Sequence, residues 1–282
     1  MRAVPYMPLT AAPFRQNEEY QEIMPRNPEL AKYIRCFWGS GRPYLKRGGA
    51  GLVTPDTCVD IIYNIDHTAN IIRGGFCGIN DASFQSTDKS MEGHLVSTFA
   101  IRFYAWSAYG FSEDSMKDTK NQYLDVQSRF RWLDRLLRPQ LFQKNTLEER
   151  VEIAEGLFLR KLSGMRHSSM VYDAVAQMLL HKGALPAEEL ARACFISSRQ
   201  LERLFHEYIG MTPKKLCNLV RYQFVWNDVL RNPAFHVMDA VWQYGYTDQS
   251  HLMREFKRYH TMDMRTARKY AYHVGNIQYP QE

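Results

Sequence analysis

The sequence predicts an α+β fold, with a β-rich N-terminal part followed by an all-α C-terminal domain. Three observations predict it. Between about Ala31 and Asp125 the chain runs in short aromatic or β-branched segments bounded by Gly, Pro, Asp or Asn. After Val126 the apolar period changes to that of a helix. Late in the chain a helix is repeated: Leu201, Arg203 and Phe205 recur as Leu252, Arg254 and Phe256, each 51 residues on. Constant spacing within one chain marks a duplicated unit.

Residues 1–29 carry Pro5, Pro8, Pro13, Pro25 and Pro28, five of the twelve prolines, so long helices are excluded there. This arm is expected to pack irregularly on the first domain. The segments YIRCFWGS, CVDIIYNID, NIIRGGFCGI and LVSTFAIRFYAW read as strands of a small barrel, cupin-like, or of a sandwich. The glycine-bearing loop 39–51 lacks the lysine and the following helix of a phosphate cradle. In 127–137, Phe130, Leu133, Leu136 and Leu137 share one face, and Pro139 is expected to stop the helix. Thr146 and Glu149 form a capping box before a helix running to about Leu162. Trp132, Leu136, Leu157 and Phe158 exceed what one domain wall needs, which predicts a homodimer through this helix pair.

A domain boundary falls at about residues 163–168, giving units 1–165 and 166–275. Seven helices are expected in the second. Ser197 with Gln200 caps one of them, and Thr212-Pro213 opens a long one that Asn232-Pro233 stops. Further helices are expected at about 236–243, 248–259 and 264–273.

The chain has 282 residues, is 45% hydrophobic and 23% charged, and can bury a core. Its net charge is +6, and residues 168–282 hold 14 Lys and Arg against 11 Asp and Glu. The basic excess is therefore spread over both halves and does not by itself demand an anionic partner. Cys36, Cys58, Cys77, Cys194 and Cys217 form no CxxC pair and read as reduced thiols. With no leader-like segment and no apolar run of membrane length, a cytoplasmic protein is expected, with no membrane partner.

A short helix, a tight turn and a second helix, occurring twice, is the helix-turn-helix arrangement. The second helix of such a unit enters the major groove of DNA. Leu201 and Phe205, like Leu252 and Phe256, face the core, leaving polar residues outward. Gln and Ser can donate to and accept from base edges, Arg can bridge a guanine, and the basic end Arg254, Lys257 and Arg258 suits phosphates.

The segment from Pro186 to Arg268 resembles the DNA-binding domain of AraC/XylS-family transcription regulators. The matching residues are ARACFISSRQLERLF, then GMTP, then GYTDQSHLMREFKR. The resemblance implies two units contacting successive major grooves on one DNA face. By position the reading residues are Arg199, Glu202 and Arg203 in the first helix and Gln249, Ser250, Met253 and Arg254 in the second, with Lys257 and Arg258 on phosphates. Phe195 stands where the family usually has Gly, and Thr261-Met262-Asp263-Met264 replaces the second G-x-[ST]-P, with Asp263 able to cap the last helix.

PDTCVDIIYN and FAIRFYAWSAYGF resemble a divergent sensor domain of such regulators, broken at Thr57 and Tyr104-Ala105. The family implies a β-barrel for a small effector, dimerising helices, and RNA polymerase as a partner. The aromatic residues Phe37, Trp38, Tyr63, Phe103, Tyr104 and Trp106 build a core or line a cavity, and Asp60 with Arg102 forms a polar pair, buried or at the surface. The candidate effector residues are Trp38, Asp60, Tyr63, Arg102, Tyr104 and Trp106. A domain that only dimerises or binds a protein is the alternative. Cys36, Cys58 and Cys77 lack metal-ligand spacing, and no GxSxG, HExxH or paired-carboxylate motif points to catalysis, so neither a cofactor nor a metal is expected.

Overall fold

The computed structural model of the protein describes residues 6–9, 19–46, 50–87 and 92–274. The β-rich domain predicted for the N-terminal part is present. Its strands are β1 (Gln21–Ile23), β2 (Ile34–Gly39), β3 (Tyr44–Leu45), β4 (Ala50–Val53), β5 (Cys58–Asp66), β6 (Ile71–Cys77), β7 (Phe84–Thr87), β8 (Leu95–Tyr104) and β9 (Tyr123–Asp125). Seven of them form an antiparallel sheet in the order β1-β2-β8-β5-β6-β9, with β3 also on β8, while β4 and β7 pair separately. Among the described residues the main sheet is open and does not close into a barrel.

Strand alternation gives the sheet two unlike faces. Val59, Ile61, Tyr63, Ile65, Phe76, Phe99 and Phe103 are buried. They pack toward α1 (Gln127–Leu141) and α2 (Leu147–Leu162), with Phe76 5.4 Å from Phe130 and Phe103 5.5 Å from Phe158. Each such aromatic stabilises the fold by roughly 1.5–3 kcal/mol through burial. The opposite face carries Cys36, Trp38, Cys58, Asp60, Cys77, Arg102 and Tyr104, side by side in register.

Helix α1 continues through Pro139 to Leu141, although Pro139 was expected to end it. The ring sits in the last turn, where only the bond to Arg135 is lost, and the Gln140 side chain donates to the Leu136 carbonyl at 2.7 Å. The helix is instead broken at Phe130 (φ −133°, ψ 48°). In α2 the Thr146/Glu149 capping box forms as read from the sequence. Leu157 and Phe158 are buried within the chain, contrary to their expected place in a dimer contact; on this pair Leu136 and Leu159 remain exposed.

The second half is helical: α3 (Ser169–Leu180), α4 (Ala187–Ala193), α5 (Ser198–Tyr208), α6 (Pro213–Arg231), α7 (Val237–Gln243), α8 (Gln249–His260) and α9 (Met264–Val274). Thr212 caps α6 through the Lys215 N–H, with Pro213 at its first position. Helix α6 is the hub. Leu216, Leu219, Val220, Val225, Trp226 and Val229 are buried among the helices around it.

The N-terminal arm differs from expectation. Tyr6 packs 5.6 Å from Phe224 on α6 and bonds Thr57 at 3.0 Å, so this stretch touches both domains. Leu9 exchanges two backbone bonds with the buried Gln223 side chain, at 2.7 and 3.2 Å, and Gln223 also donates to the Pro55 carbonyl at 2.8 Å. Pro5 and Pro13 of the predicted arm lie outside the described residues. Among the described residues no helix is long and apolar enough to cross a membrane.

Candidate nucleic-acid interface

Each reading helix begins with a side-chain cap. Ser197 accepts from the Gln200 N–H at 3.2 Å, and Asp248 accepts from the His251 N–H at 2.7 Å. These caps fix the first turn, where a helix inserted end-on meets DNA. On α5 the buried side is Leu201, Phe205 and Tyr208, while Arg199, Glu202 and Arg203 are exposed. On α8 the buried side is Leu252, Phe256 and Tyr259, while Gln249, Ser250, Arg254, Lys257 and Arg258 are exposed and Met253 is half-buried. All nine residues read from the sequence therefore lie on the two helices, eight fully outward. Arg254 donates to the Ser250 carbonyl at 3.2 Å, and the Arg258 guanidinium lies 4.5 Å from the Tyr259 ring centre.

The two turns are alike in kind. Helix α4 ends at Cys194 and the chain reverses at Phe195 in the left-handed region (φ 57°); α7 ends at Tyr244 and reverses at Gly245 (φ 66°). Phe195 pays for that conformation with no packing in return, its side chain being 96% exposed. The second turn is one residue longer, with Tyr246, Thr247 and then the Asp248 cap. Asp263 caps α9 as the sequence implied, accepting from Thr266 at 2.9 Å.

Helix α8 is tied to α6 by a buried ion pair. Arg221 donates to both Glu255 oxygens at 3.0 Å, Tyr246 donates to Glu255 at 2.9 Å, and Arg221 lies 4.2 Å over the Tyr246 ring. His260 bonds Tyr222 at 2.8 Å and stacks on Phe256, and burial pushes its pKa down to about 4. Sequence reading expected both units on the helix from Pro213 to about Leu230 but missed this ion pair, although Arg221 and Glu255 on otherwise apolar faces were a visible signal.

These two capped helices, polar on their outward faces and set on one scaffold, coincide with a domain assignment. Residues 190–270 match the family model described as a helix-turn-helix domain. Residues 190–270 are thus a helix-turn-helix domain. Residues 21–125 match a model described as a domain of unknown function. Among solved structures, the chain is similar to an AraC-type DNA-binding-domain transcriptional regulator from Chromobacterium violaceum. That likeness has 22% identity over 36% of this chain and 90% of the other, with a TM-score of 0.34. The C-terminal domain of AraT, a response regulator from Geobacillus stearothermophilus, is 19% identical over 37% and 87% of the two chains, TM-score 0.35. ToxT from Vibrio cholerae strain SCE256, solved with an unsaturated fatty acid bound, is 10% identical over 86% and 98%, TM-score 0.43. No curated protein matches the chain.

In the N-terminal domain, four of the six candidate effector residues share the sheet face opposite α1 and α2. Asp60 accepts from Trp38 Nε1 at 2.7 Å and from Arg102 Nε and Nη2 at 2.9 and 3.2 Å. The Arg102 guanidinium lies 5.5 Å from the Trp38 ring, and Tyr104 stands cross-strand from Cys58 on the same face. Trp106 lies just past the end of β8, stacked on Tyr104 at 5.1 Å. Tyr63 is not with them: it is fully buried on the helix side, where burial and the Asp134 carboxylate push its pKa up. Sequence reading missed Tyr20, which covers Trp38 at 5.6 Å, and Arg35, brought near by a bulge between Ile34 and Cys36. Arg35 Nε and Arg102 Nη1 are buried without a hydrogen-bond partner among the described residues. Burial pushes Asp56 up to about 6 against the pull of Arg102. It also pushes the Cys36 thiol up to about 12 and Cys77 up to about 11, which suits inert thiols rather than reactive ones.

Proposed function

We propose that the chain binds a bipartite duplex DNA site and regulates transcription from it. In this reading α5 specifies one half-site through Arg199, Glu202 and Arg203. Helix α8 specifies the other through Gln249, Ser250, Met253 and Arg254, while Lys257 and Arg258 hold phosphates. One observation carries it: both capped helices present polar residues outward from the single α6 scaffold. At 19 residues α6 spans about 28 Å, close to the ~34 Å between successive major grooves on one DNA face. Selection from random duplexes with the full chain tests this. A site with two conserved blocks about one helical turn apart is expected; one short block, or none, overturns the reading.

We further infer a regulatory arrangement in which residues 1–165 sense and 166–275 read. The sheet face opposite α1 and α2 would take a small molecule with oxygen acceptors, because two buried guanidinium groups there have nitrogens without partners among the described residues, beside the Trp38 and Tyr20 rings. ToxT's bound fatty acid belongs to that protein and enters only as an instance of a ligand in a regulator similar to this chain. A panel of small organic acids should raise the melting temperature of the wild-type chain and not of Arg102→Gln. No shift with any of them favours the alternative, a ligand-independent domain that dimerises or binds a protein. The same proposal includes a cytoplasmic, non-enzymatic homodimer meeting through exposed Leu136 and Leu159, with RNA polymerase as the partner in activation. Leu136→Asp should leave a monomer in sedimentation; an unchanged mass rejects that contact.

A further inference from the structure

The last four carbonyls of a helix have no partner within it. In both reading helices one of these, on the penultimate residue, is capped from the N-terminal domain. The Glu207 carbonyl of α5 accepts from the Met116 N–H at 2.8 Å and from Ser115 Oγ at 3.4 Å. The Tyr259 carbonyl of α8 accepts from the Ser83 N–H at 3.1 Å and from Ser83 Oγ at 2.6 Å. The donors come from two loops, 78–83 after β6 and 112–122 before β9. The first contact is reinforced by Tyr109, which donates to the Glu207 carboxylate at 2.7 Å and packs 4.2 Å from Tyr208. Gly210 follows α5 with φ +83°, and a Cβ there would lie 2.5 Å from the Met116 carbonyl. The approach is thus at backbone distance.

The two capping loops are fastened to each other, and Asp81 is the fastening. Its carboxylate accepts from Asn121 Nδ2 at 2.7 Å and from Lys120 Nζ at 2.8 Å, and its N–H donates to Asn121 Oδ1 at 2.9 Å. Two backbone bonds run alongside, Gly78 N–H to the Gln122 carbonyl at 3.0 Å and Asn121 N–H to the Ile79 carbonyl at 2.9 Å. A Cβ on Gly78 would lie 1.9 Å from the Thr119 carbonyl, so the loops touch directly. Asp81 also lies 3.8 Å from Lys215 Nζ in the first turn of α6.

We propose that Asp81 is a positioning residue for DNA recognition: it joins two loops of the N-terminal domain into one clamp that grips α5 and α8 at matching carbonyls and sets the spacing of the half-sites they read. The inference rests on the two-groove reading above. Within the helical domain, α5 is held to the scaffold by apolar packing, which resists a small slide less than directed bonds do. The clamp supplies the direction. It hangs from the paired strands β6 and β9, so a shift of that strand pair as a unit moves both reading helices together.

The test uses the full chain and duplexes carrying both selected half-sites with one base pair inserted, removed or unchanged between them. For the wild type, each change of one base pair is expected to weaken binding about tenfold, because it rotates one half-site by roughly a tenth of a turn. Asp81→Ala is expected to reduce that penalty to about threefold or less, while binding to duplexes with a single half-site stays as in the wild type. A general loss of stability weakens all duplexes alike and leaves the spacing penalty intact. Asn121→Ala removes the opposite half of the same bonds and reports independently should Asp81→Ala fail to fold. Asp81→Asn, which keeps an oxygen for Asn121 and loses the charge facing Lys120, is expected to fall between. An unchanged penalty in the folded Asp81→Ala and Asn121→Ala chains overturns the proposal. A wild type with no spacing penalty overturns the two-groove reading, and this inference with it.

Discussion

The two helix-turn-helix units share a skeleton and are held in different ways. In the second, α8 is fastened to α6 by the buried Arg221–Glu255 pair and by His260 on Tyr222. In the first, α5 rests on Leu201, Phe205 and Tyr208, with its polar anchors reaching the N-terminal domain at Tyr109, Ser115 and Met116. The outward chemistry differs too. Helix α5 opens with two arginines around an acid, whereas α8 opens with an amide and a hydroxyl and ends with Lys257 and Arg258. Duplication has thus kept the apolar positions, which fix the helix on the domain, and varied both the reading residues and the means of support.

The largest expected effect breaks the support of the second unit alone. Glu255→Ala leaves Arg221 buried and unpaired, which should cost about 3 kcal/mol or more of unfolding free energy in urea titration. The loss should fall on the half-site read by α8 before that read by α5. Equal loss at both half-sites would show that the units are not supported separately.

The acid response sharpens the same contrast. His260 is held neutral, with its pKa lowered from 6.5 to about 4, so the unfolded chain binds the extra proton first as pH falls between those values. Its contribution to stability is present above about pH 6.5 and is lost toward pH 4, up to about 3 kcal/mol. His260→Gln should flatten the fall in stability across that window relative to the wild type; parallel curves would refute the assignment.

How much of this was legible beforehand follows from the kind of interaction. Apolar stripes and caps announce themselves in residue type, so α2 through its Thr146/Glu149 box and α6 through Thr212-Pro213 were readable. Asp60 and Arg102 were readable as partners by type, and strand register then placed them side by side. The clamp was not readable, because its bonds to Glu207 and Tyr259 end on backbone carbonyls, which every residue has. Gln223 was a side-chain signal of domain contact, an amide on the buried face of α6. Arg35 was missed because a bulge, which alternation does not foretell, carries it toward the face that bears Arg102.

Smaller effects separate contact types within one unit. Lys257→Ala should weaken all duplexes about equally and reduce the slope of log affinity against log salt by about one. An unchanged slope would remove Lys257 from the phosphate contacts. Smallest is the first turn: Phe195→Gly should stabilise the chain by up to about 1 kcal/mol, since φ 57° suits Gly and the exposed ring loses no packing. A destabilised variant would show that the ring has a contact of its own.

The central claim is that α5 and α8 read separate halves of one site, and paired selections on random duplexes test it most directly. Arg199→Ala and Gln249→Ala are each passed through the same selection as the wild type. Each should cost about 1–3 kcal/mol in binding and relax base preference in its own block, leaving the other block as it was. If both substitutions relax the same positions, or neither relaxes any, the two helices do not read separate halves and the account is contradicted.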